Sequence, residues 1–202
     1  MSLAVFLKYN FKVLFRKNFL AGIVYSLIVP FIFNLAHPVM ISEVYLAPVG
    51  IIFLTELSEI DKEEQINELV SVRQKGVYYN LLSRYLLGLS LTVLALSYFL
   101  GYISLQGIDV VAGELLLGTF ITALFLGTLG LTIANFLKNY VAGYIVSFSY
   151  YLFDFMTGGD YTGDLFLFSL SKGDFFPKYY LFGLSILLIG INLIYIKYRT
   201  IE

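Results

Sequence analysis

The sequence contains no cysteine and a single histidine, His37, among its 202 residues. The absence of cysteine excludes disulfides, thiolate metal sites and cysteine nucleophiles, and one histidine cannot form a multi-histidine metal site. Charged residues are scarce, at 13% of the chain, against about 25% in soluble domains. Because 59% of the residues are hydrophobic, the composition excludes an ordinary soluble globule and a disordered chain. It indicates a protein whose apolar surface faces lipid, and the net charge of −1 does not indicate nucleic-acid binding.

Motifs for common enzyme chemistry are absent as well. The chain has no Gly-x-x-x-x-Gly-Lys-Ser/Thr sequence for binding ATP, no Gly-x-Ser-x-Gly elbow and no His-Glu-x-x-His metal motif. His37 precedes Pro38 and has no orienting carboxylate close to it in sequence, which favours a loop or helix-end residue over a catalyst. The sequence therefore predicts no enzyme, and we expect this chain itself to bind no cofactor.

What the sequence does contain is six long apolar runs. At about 20 residues per membrane helix, six spans use about 120 residues, so we predict an all-α integral membrane protein with one transmembrane domain over residues 1–202. Ionisable residues inside the spans are nearly absent. We expect Asp154 to be the deepest of them, either near the midplane or at the headgroup level. The predicted spans are 19–36, 41–57, 81–102, 111–137, 140–156 and 179–196.

Two amphipathic helices are predicted outside the membrane core. Residues 3–18 carry basic side chains at steps of four opposite an apolar stripe, which is typical of an interfacial helix; the alternative is the charged flank of the first span. Residues 58–76 begin with a capping box at Ser58 and end at Gly76, which predicts a cytoplasmic helix between spans two and three. The basic set is Lys8, Lys12, Arg16 and Lys17, and the acidic set of the second helix is Glu59, Asp61, Glu63, Glu64 and Glu68.

The distribution of basic residues predicts the orientation. With six crossings and a cytoplasmic amino terminus, only Lys172 and Lys178 of the 13 Lys and Arg residues fall outside, as the positive-inside rule requires. Both termini are then cytoplasmic, and the link 157–178 lies on the outer side. Its two short apolar runs suit either re-entrant turns or an ordinary loop with aromatic anchors. Candidates for the pathway or an outer gate are Asp154, Tyr161, Phe166 and Phe168.

Small residues mark the fourth span. Gly118, Gly127 and Gly130 are interleaved with threonines, a composition that allows helices to approach closely. Packing within the chain and a seam between two copies are both open interpretations.

The order of these parts resembles the membrane (permease) subunit of the type-2 ATP-binding-cassette (ABC) exporters. The parts are a basic amphipathic helix, two spans, a charged cytoplasmic helix and four further spans with an extended outer segment between the last two. The nearest local match is the stretch 64–70, EQINELV, followed by LLSRYLLG at 81–88. The membrane subunits of heme exporters share this layout.

The resemblance implies a function and a set of partners. The helix 58–76 would be the coupling helix that contacts an ATPase subunit through its acidic set, with Lys138 and Asn139 as a second contact; a helix that only lies on the membrane surface is the alternative. The partners would be a dimer of ABC ATPase subunits, which hold ATP and Mg²⁺, a second permease copy or paralogue, and membrane lipid. The location would be the prokaryotic plasma membrane, and the cargo a peptide, drug or lipid-like molecule. Other hypotheses are an ion-driven transporter or membrane enzyme that uses Asp154 or His37, and a non-transporting membrane scaffold.

Overall fold

The computed structural model describes residues 17–32, 37–57 and 74–199 of the chain. This described part is helical and contains no β-strand. Most of the two predicted amphipathic helices, 3–18 and 58–76, lies outside the described residues. So do the acidic set and the basic residues Lys8, Lys12 and Arg16. Lys17 is the first residue of the first helix. The helices are α1 (Lys17–Ile32), α2 (Pro38–Ile41), α3 (Val49–Thr55), α4 (Gln74–Leu105), α5 (Ala112–Phe136), α6 (Tyr140–Thr157) and α7 (Phe176–Arg199).

Within the described residues, four helical stretches are long and apolar enough to cross a membrane, which indicates a membrane protein. They are Pro38–Thr55, Tyr85–Leu105, Ala112–Phe136 and Phe176–Tyr195. The apolar part of α1, Phe19–Ile32, is shorter, and α6 has 18 residues but is not among the four. The count of six spans therefore stays a prediction.

The second predicted span is an interrupted helix. After the short α2, the backbone makes a π-helical turn over Ser42–Leu46 and a turn at Ala47 and Pro48 before α3 begins. Proline lacks the N–H that a continuous helix needs, and π-helical turns are rare and concentrate at functional sites. Interrupted helices occur at membrane depth where the irregular backbone is buried in protein, and Ser42, Glu43 and Leu46 are indeed buried.

Helix α5 forms the centre of the bundle and packs against α3, α6 and α7. The closest approach is to α3, where a Cβ added at Gly50 would collide with the backbone of Ala123. Gly118 faces Leu170, and Gly127 and Gly130 face α3. The small residues of the fourth span therefore serve packing within the chain.

The helices alternate in direction, so their ends form two groups. At one end, Phe19, Leu57, Tyr85 and Leu131 belong to one apolar cluster. At the other end, Val29, Ile41, Phe99, Ile103 and Leu115 form another. We call these the inner and outer ends, after the predicted orientation. Residue 57, the start of α4 and the turn between α5 and α6 all belong to the inner end.

Candidate functional site

The chain between α6 and α7, residues 158–175, folds back into the outer end of the bundle; we call it the outer segment. It contains two 3₁₀ turns, Gly163–Leu165 and Ser169–Lys172. Between them, Phe166, Leu167 and Phe168 are only 7%, 0% and 4% exposed. They share an apolar cluster whose other members come from α3, α5, α6 and α7 and include Ile51, Ile121, Phe125, Tyr151 and Leu181. The middle of the segment therefore packs into the bundle, and its relation to the membrane stays a prediction.

A fully buried ion pair lies beneath the outer segment. The Nζ atom of Lys178 is 2.6 Å from Oε1 of Glu43, and both side chains are 0% exposed. Glu43 comes from the π-helical turn, and Lys178 is the third residue of α7. The expectation that Asp154 is the deepest ionisable residue, with Lys178 in an outer loop, is therefore wrong. The helix α7 begins at Phe176 rather than 179, which carries Lys178 into the bundle.

Every donor of Lys178 has a protein partner. A lysine ammonium has three N–H groups. One donates to Glu43, a second to Oγ1 of Thr122 at 2.7 Å, and a third to the carbonyl oxygen of Leu167. The lysine therefore joins α7 to the π-helical turn, to α5 and to the outer segment.

Both carboxylate oxygens of Glu43 accept hydrogen bonds from the outer segment. The backbone N–H of Leu170 donates to Oε1 at 3.2 Å, and that of Ser171 donates to Oε2 at 3.0 Å. Charge-assisted hydrogen bonds of this kind are roughly twice as strong as neutral ones. A carboxylate at position 43 offers an acceptor oxygen to each of the two backbone N–H groups, whereas an amide side chain offers only one.

Asp154 holds the same segment from α6. Its side chain is 0% exposed, accepts from the backbone N–H of Leu167 at 2.7 Å and accepts from the hydroxyl of Thr162. Leu167 is thus bound on both sides, its N–H by Asp154 and its carbonyl by Lys178. We call Glu43, Asp154 and Lys178 the charged cluster.

Tyrosine side chains of α6 support the cluster from one side. The hydroxyl of Tyr150 donates to the carbonyl oxygen of Leu165 at 3.0 Å. The hydroxyl of Tyr151 donates to the carbonyl oxygen of Val44, next to Glu43. These bonds satisfy backbone carbonyls that the π-helical turn and the 3₁₀ turns leave outside regular helix.

The residues predicted for the pathway or an outer gate divide into two groups. Asp154, Phe166 and Phe168 come together at the outer end, each buried by its neighbours. Tyr161 is 81% exposed, and its ring centroid lies 6.0 Å from that of Phe153. Sequence reasoning missed Glu43 and Lys178. The sequence shows only that these two opposite charges stand near the outer ends of separate apolar runs.

The other predicted residues are placed at the ends of helices. Lys138 adopts a left-handed conformation with φ 52°, and the side chain of Asn139 caps α6 by accepting from the N–H of Val141 at 3.0 Å. Both lie at the inner end, in the turn from α5 to α6. His37 precedes α2 at the outer end and lines a surface cavity of about 510 Å³ together with Pro38 and Leu170.

A second buried polar contact joins α5 and α7 nearer the inner end. The amide nitrogen of Asn135 donates to Oδ1 of Asn192 at 2.9 Å, and the amide nitrogen of Asn192 donates to Oγ1 of Thr132 at 2.8 Å. These side chains carry no charge and do not touch the outer segment, so they offer a comparison site of similar burial.

The charged cluster is suited to holding a segment of chain rather than to catalysis. Its hydrogen-bonding groups are occupied by protein partners, and a satisfied buried network rigidifies the groups that it joins. Within the described ranges, no group of three or more His, Asp or Glu side chains could hold a metal ion. No protein-family model, curated protein or solved structure matches this chain.

Proposed function

We propose that this chain is the permease subunit of an ATP-driven ABC exporter and forms the translocation path as a dimer. The observation that carries the proposal is the division of the bundle into two different ends. Residue 57, the start of α4 at Gln74 and the turn at Lys138 and Asn139 all belong to the inner end. Every segment expected to contact an ATPase subunit therefore leaves the bundle on one side, and the outer segment closes the other.

The chain would transmit motion rather than produce it. It has no phosphate-binding motif, so ATP and Mg²⁺ would be held by separate ATPase subunits. Their binding would favour one position of the acidic helix 58–76 and shift the population of bundle conformations. A second copy or a paralogue of this chain would form the other wall of the path, because α5 fills the centre of the described bundle and packs against α3, α6 and α7.

The aromatic outer end and the scarcity of charge on the apolar helices favour a peptide, drug or lipid-like cargo. Large apolar side chains are exposed along α1, α6 and α7, among them Phe31, Phe153 and Phe182. Such faces suit contact with lipid, with a second copy or with an amphipathic cargo.

Co-purification tests the proposal. The chain is expressed together with any P-loop ATPase that the same genome encodes beside it, solubilised in mild detergent and captured through a tag on one subunit. We expect the ATPase to be retained, and the double charge reversal Glu63→Lys and Glu64→Lys to reduce its retention by roughly 10-fold or more. A matched reversal at the outer end, Asp109→Lys and Glu114→Lys, where both side chains are exposed, should leave it unchanged. No retention of the ATPase by the unmodified chain would refute the proposal.

An ion-driven transporter is the second candidate, and the charged cluster is the observation that favours it. Buried ionisable residues in membrane helices often mark ion or proton pathways. Of the four Asp, Glu and Lys side chains that are buried in the described part of the chain, all but Glu56 belong to the charged cluster. Their hydrogen-bonding groups are engaged by the backbone of the outer segment, which favours a structural role. If transport in vesicles without ATP followed an ion gradient and was lost in Asp154→Asn, this second candidate would replace the first.

A further inference from the structure

The outer segment is attached to the bundle by the buried side chains Phe166, Leu167 and Phe168 and by charged side chains that bind its backbone. Glu43 binds the N–H groups of Leu170 and Ser171, while Asp154 and Lys178 bind the N–H and carbonyl of Leu167. The three charged residues come from three different helical elements. The bonds from these three charged side chains to the backbone of the segment are concentrated at two points, Leu167 and the pair Leu170 and Ser171.

Glycines in the left-handed region bound the segment on both sides. Gly158 and Gly159 have φ of 62° and 87°, and Gly173 has φ of 75°. The chain between them forms only short 3₁₀ turns, so it has no long helix of its own to preserve. Closing segments commonly turn about a few such terminal positions.

Two surface cavities flank the segment at Leu170. One, of about 240 Å³, is lined by Asp109, Glu114 and Phe175, and the other, of about 510 Å³, by His37 and Met40; Leu170 and Gly173 line both. Both cavities are open to the surface of the protein beside Leu170. Solvent is thus available to hydrate the charged cluster if the segment leaves its place.

We propose that the charged cluster is a latch: Glu43, Asp154 and Lys178 hold the outer segment closed over the bundle, and the segment opens as one unit about its flanking glycines when these bonds break. The closed form predominates, because separating a buried ion pair from its partners is unfavourable. The role of this opening as an outer exit for cargo rests on the proposed function. The latch itself can be tested on this chain alone, without any ATPase.

Thiol labelling measures the opening directly, because the chain has no native cysteine. A single cysteine replaces Leu167, which is 0% exposed, and the full chain in lipid vesicles is treated with a water-soluble maleimide. In this background, we expect Lys178→Met to speed labelling by at least ~10-fold, which corresponds to about 1.4 kcal/mol. Asp154→Asn should speed labelling by a smaller factor, because asparagine retains one acceptor.

Two controls separate a latch from general loss of stability. A cysteine that replaces Tyr161, already 81% exposed, should label rapidly and equally in every variant. Asn192→Leu removes the comparison site between α5 and α7. The Leu167→Cys chain should be labelled at the same rate, within about 2-fold, with and without Asn192→Leu. The latch is refuted if Asn192→Leu speeds labelling as much as Lys178→Met, or if Lys178→Met leaves it unchanged.

Hydrogen exchange on the unmodified chain gives an answer even if the variants fail to fold. Opening as one unit requires the amides of Leu167, Leu170 and Ser171 to exchange at a common rate. That rate should exceed the rate of a buried amide in the centre of α5, such as that of Leu126, by at least ~10-fold, because sub-global opening has a lower free energy than global unfolding. If these amides exchange as slowly as Leu126, the segment is a permanent part of the core and the proposal is wrong.

Discussion

At the residue scale, the buried charges Glu43 and Lys178 depend on each other. Removing one partner of a buried pair leaves an unpaired charge, which typically costs about 3–5 kcal/mol, whereas replacing both can be nearly neutral. We therefore expect Lys178→Met to lower the free energy of unfolding in detergent far more than the double change Glu43→Gln with Lys178→Met. The glutamine keeps one acceptor for the backbone N–H groups of the outer segment. A double variant as unstable as the single one would contradict this prediction.

Gly50 is the residue at which α3 and α5 approach most closely. A methyl group there would meet the backbone of Ala123, which cannot move aside like a flexible side chain. We expect Gly50→Ala to destabilise the bundle by about 1–3 kcal/mol, the usual cost of overpacking, measured as a lower midpoint of unfolding in detergent.

Gly101 provides the matched control for Gly50. It lies in α4 with no atom within 4 Å of an added Cβ, so Gly101→Ala should be neutral or stabilising by up to about 1 kcal/mol, because alanine favours the helix. Equal loss of stability in both variants would show that close approach is not the cause.

At the element scale, the start of α6 depends on its cap. Asn139 accepts a hydrogen bond from the N–H of Val141, and replacing such a cap by alanine typically costs about 1 kcal/mol. We expect Asn139→Ala to lower the unfolding free energy by about that amount and Asn139→Ser, which also caps, to restore most of it. In co-purification, loss of the ATPase from the Asn139→Ala variant alone would show that docking needs the capped start of α6. Loss from both variants would show that the side-chain amide of Asn139 itself contacts the ATPase.

The sequence predicts helices well where apolar runs are long and end at a strong signal. The span predicted at 111–137 corresponds to α5, which runs Ala112–Phe136, because the short link 137–139 separates it from the next helix. Spans of unusual composition are harder to predict: α6 contains four tyrosines and Asp154, so its apolar character alone does not identify it as a span.

The interrupted second span and the charged cluster could not be predicted, for a common physical reason. Each depends on contacts between residues far apart in sequence, such as Glu43 with Lys178 and with the N–H groups of the outer segment. Hydropathy averages over a window and cannot show that two opposite charges in separate runs neutralise each other. Asp154 is recognisable as a candidate because it stands alone within an apolar run, whereas Glu43 and Lys178 stand near the ends of theirs.

At the scale of the whole molecule, the two ends of the bundle should face opposite sides of the membrane. The alternation of α4 to α7 places Gln106 and Tyr161 at the outer end and Leu137 at the inner end, and all three side chains are exposed. The excess of basic residues at the inner end predicts that this end is cytoplasmic. Single cysteines at these positions report the orientation without further changes, since the chain has no cysteine of its own.

In intact cells, a maleimide that cannot cross the membrane should label the cysteines replacing Gln106 and Tyr161 and leave that replacing Leu137 unlabelled until the membrane is opened. Labelling of Leu137→Cys alone in intact cells would show that the orientation is the opposite of the predicted one. The acidic helix 58–76 would then lie outside the cell, where it could not contact an ATPase. Labelling of all three would contradict α5 and α6 as membrane-crossing helices. In the expected pattern, Gln106 and Tyr161 lie outside and Leu137 lies inside. The outer segment is then on one side of the bilayer and the residues expected to contact the ATPase are on the other, as an exporter requires.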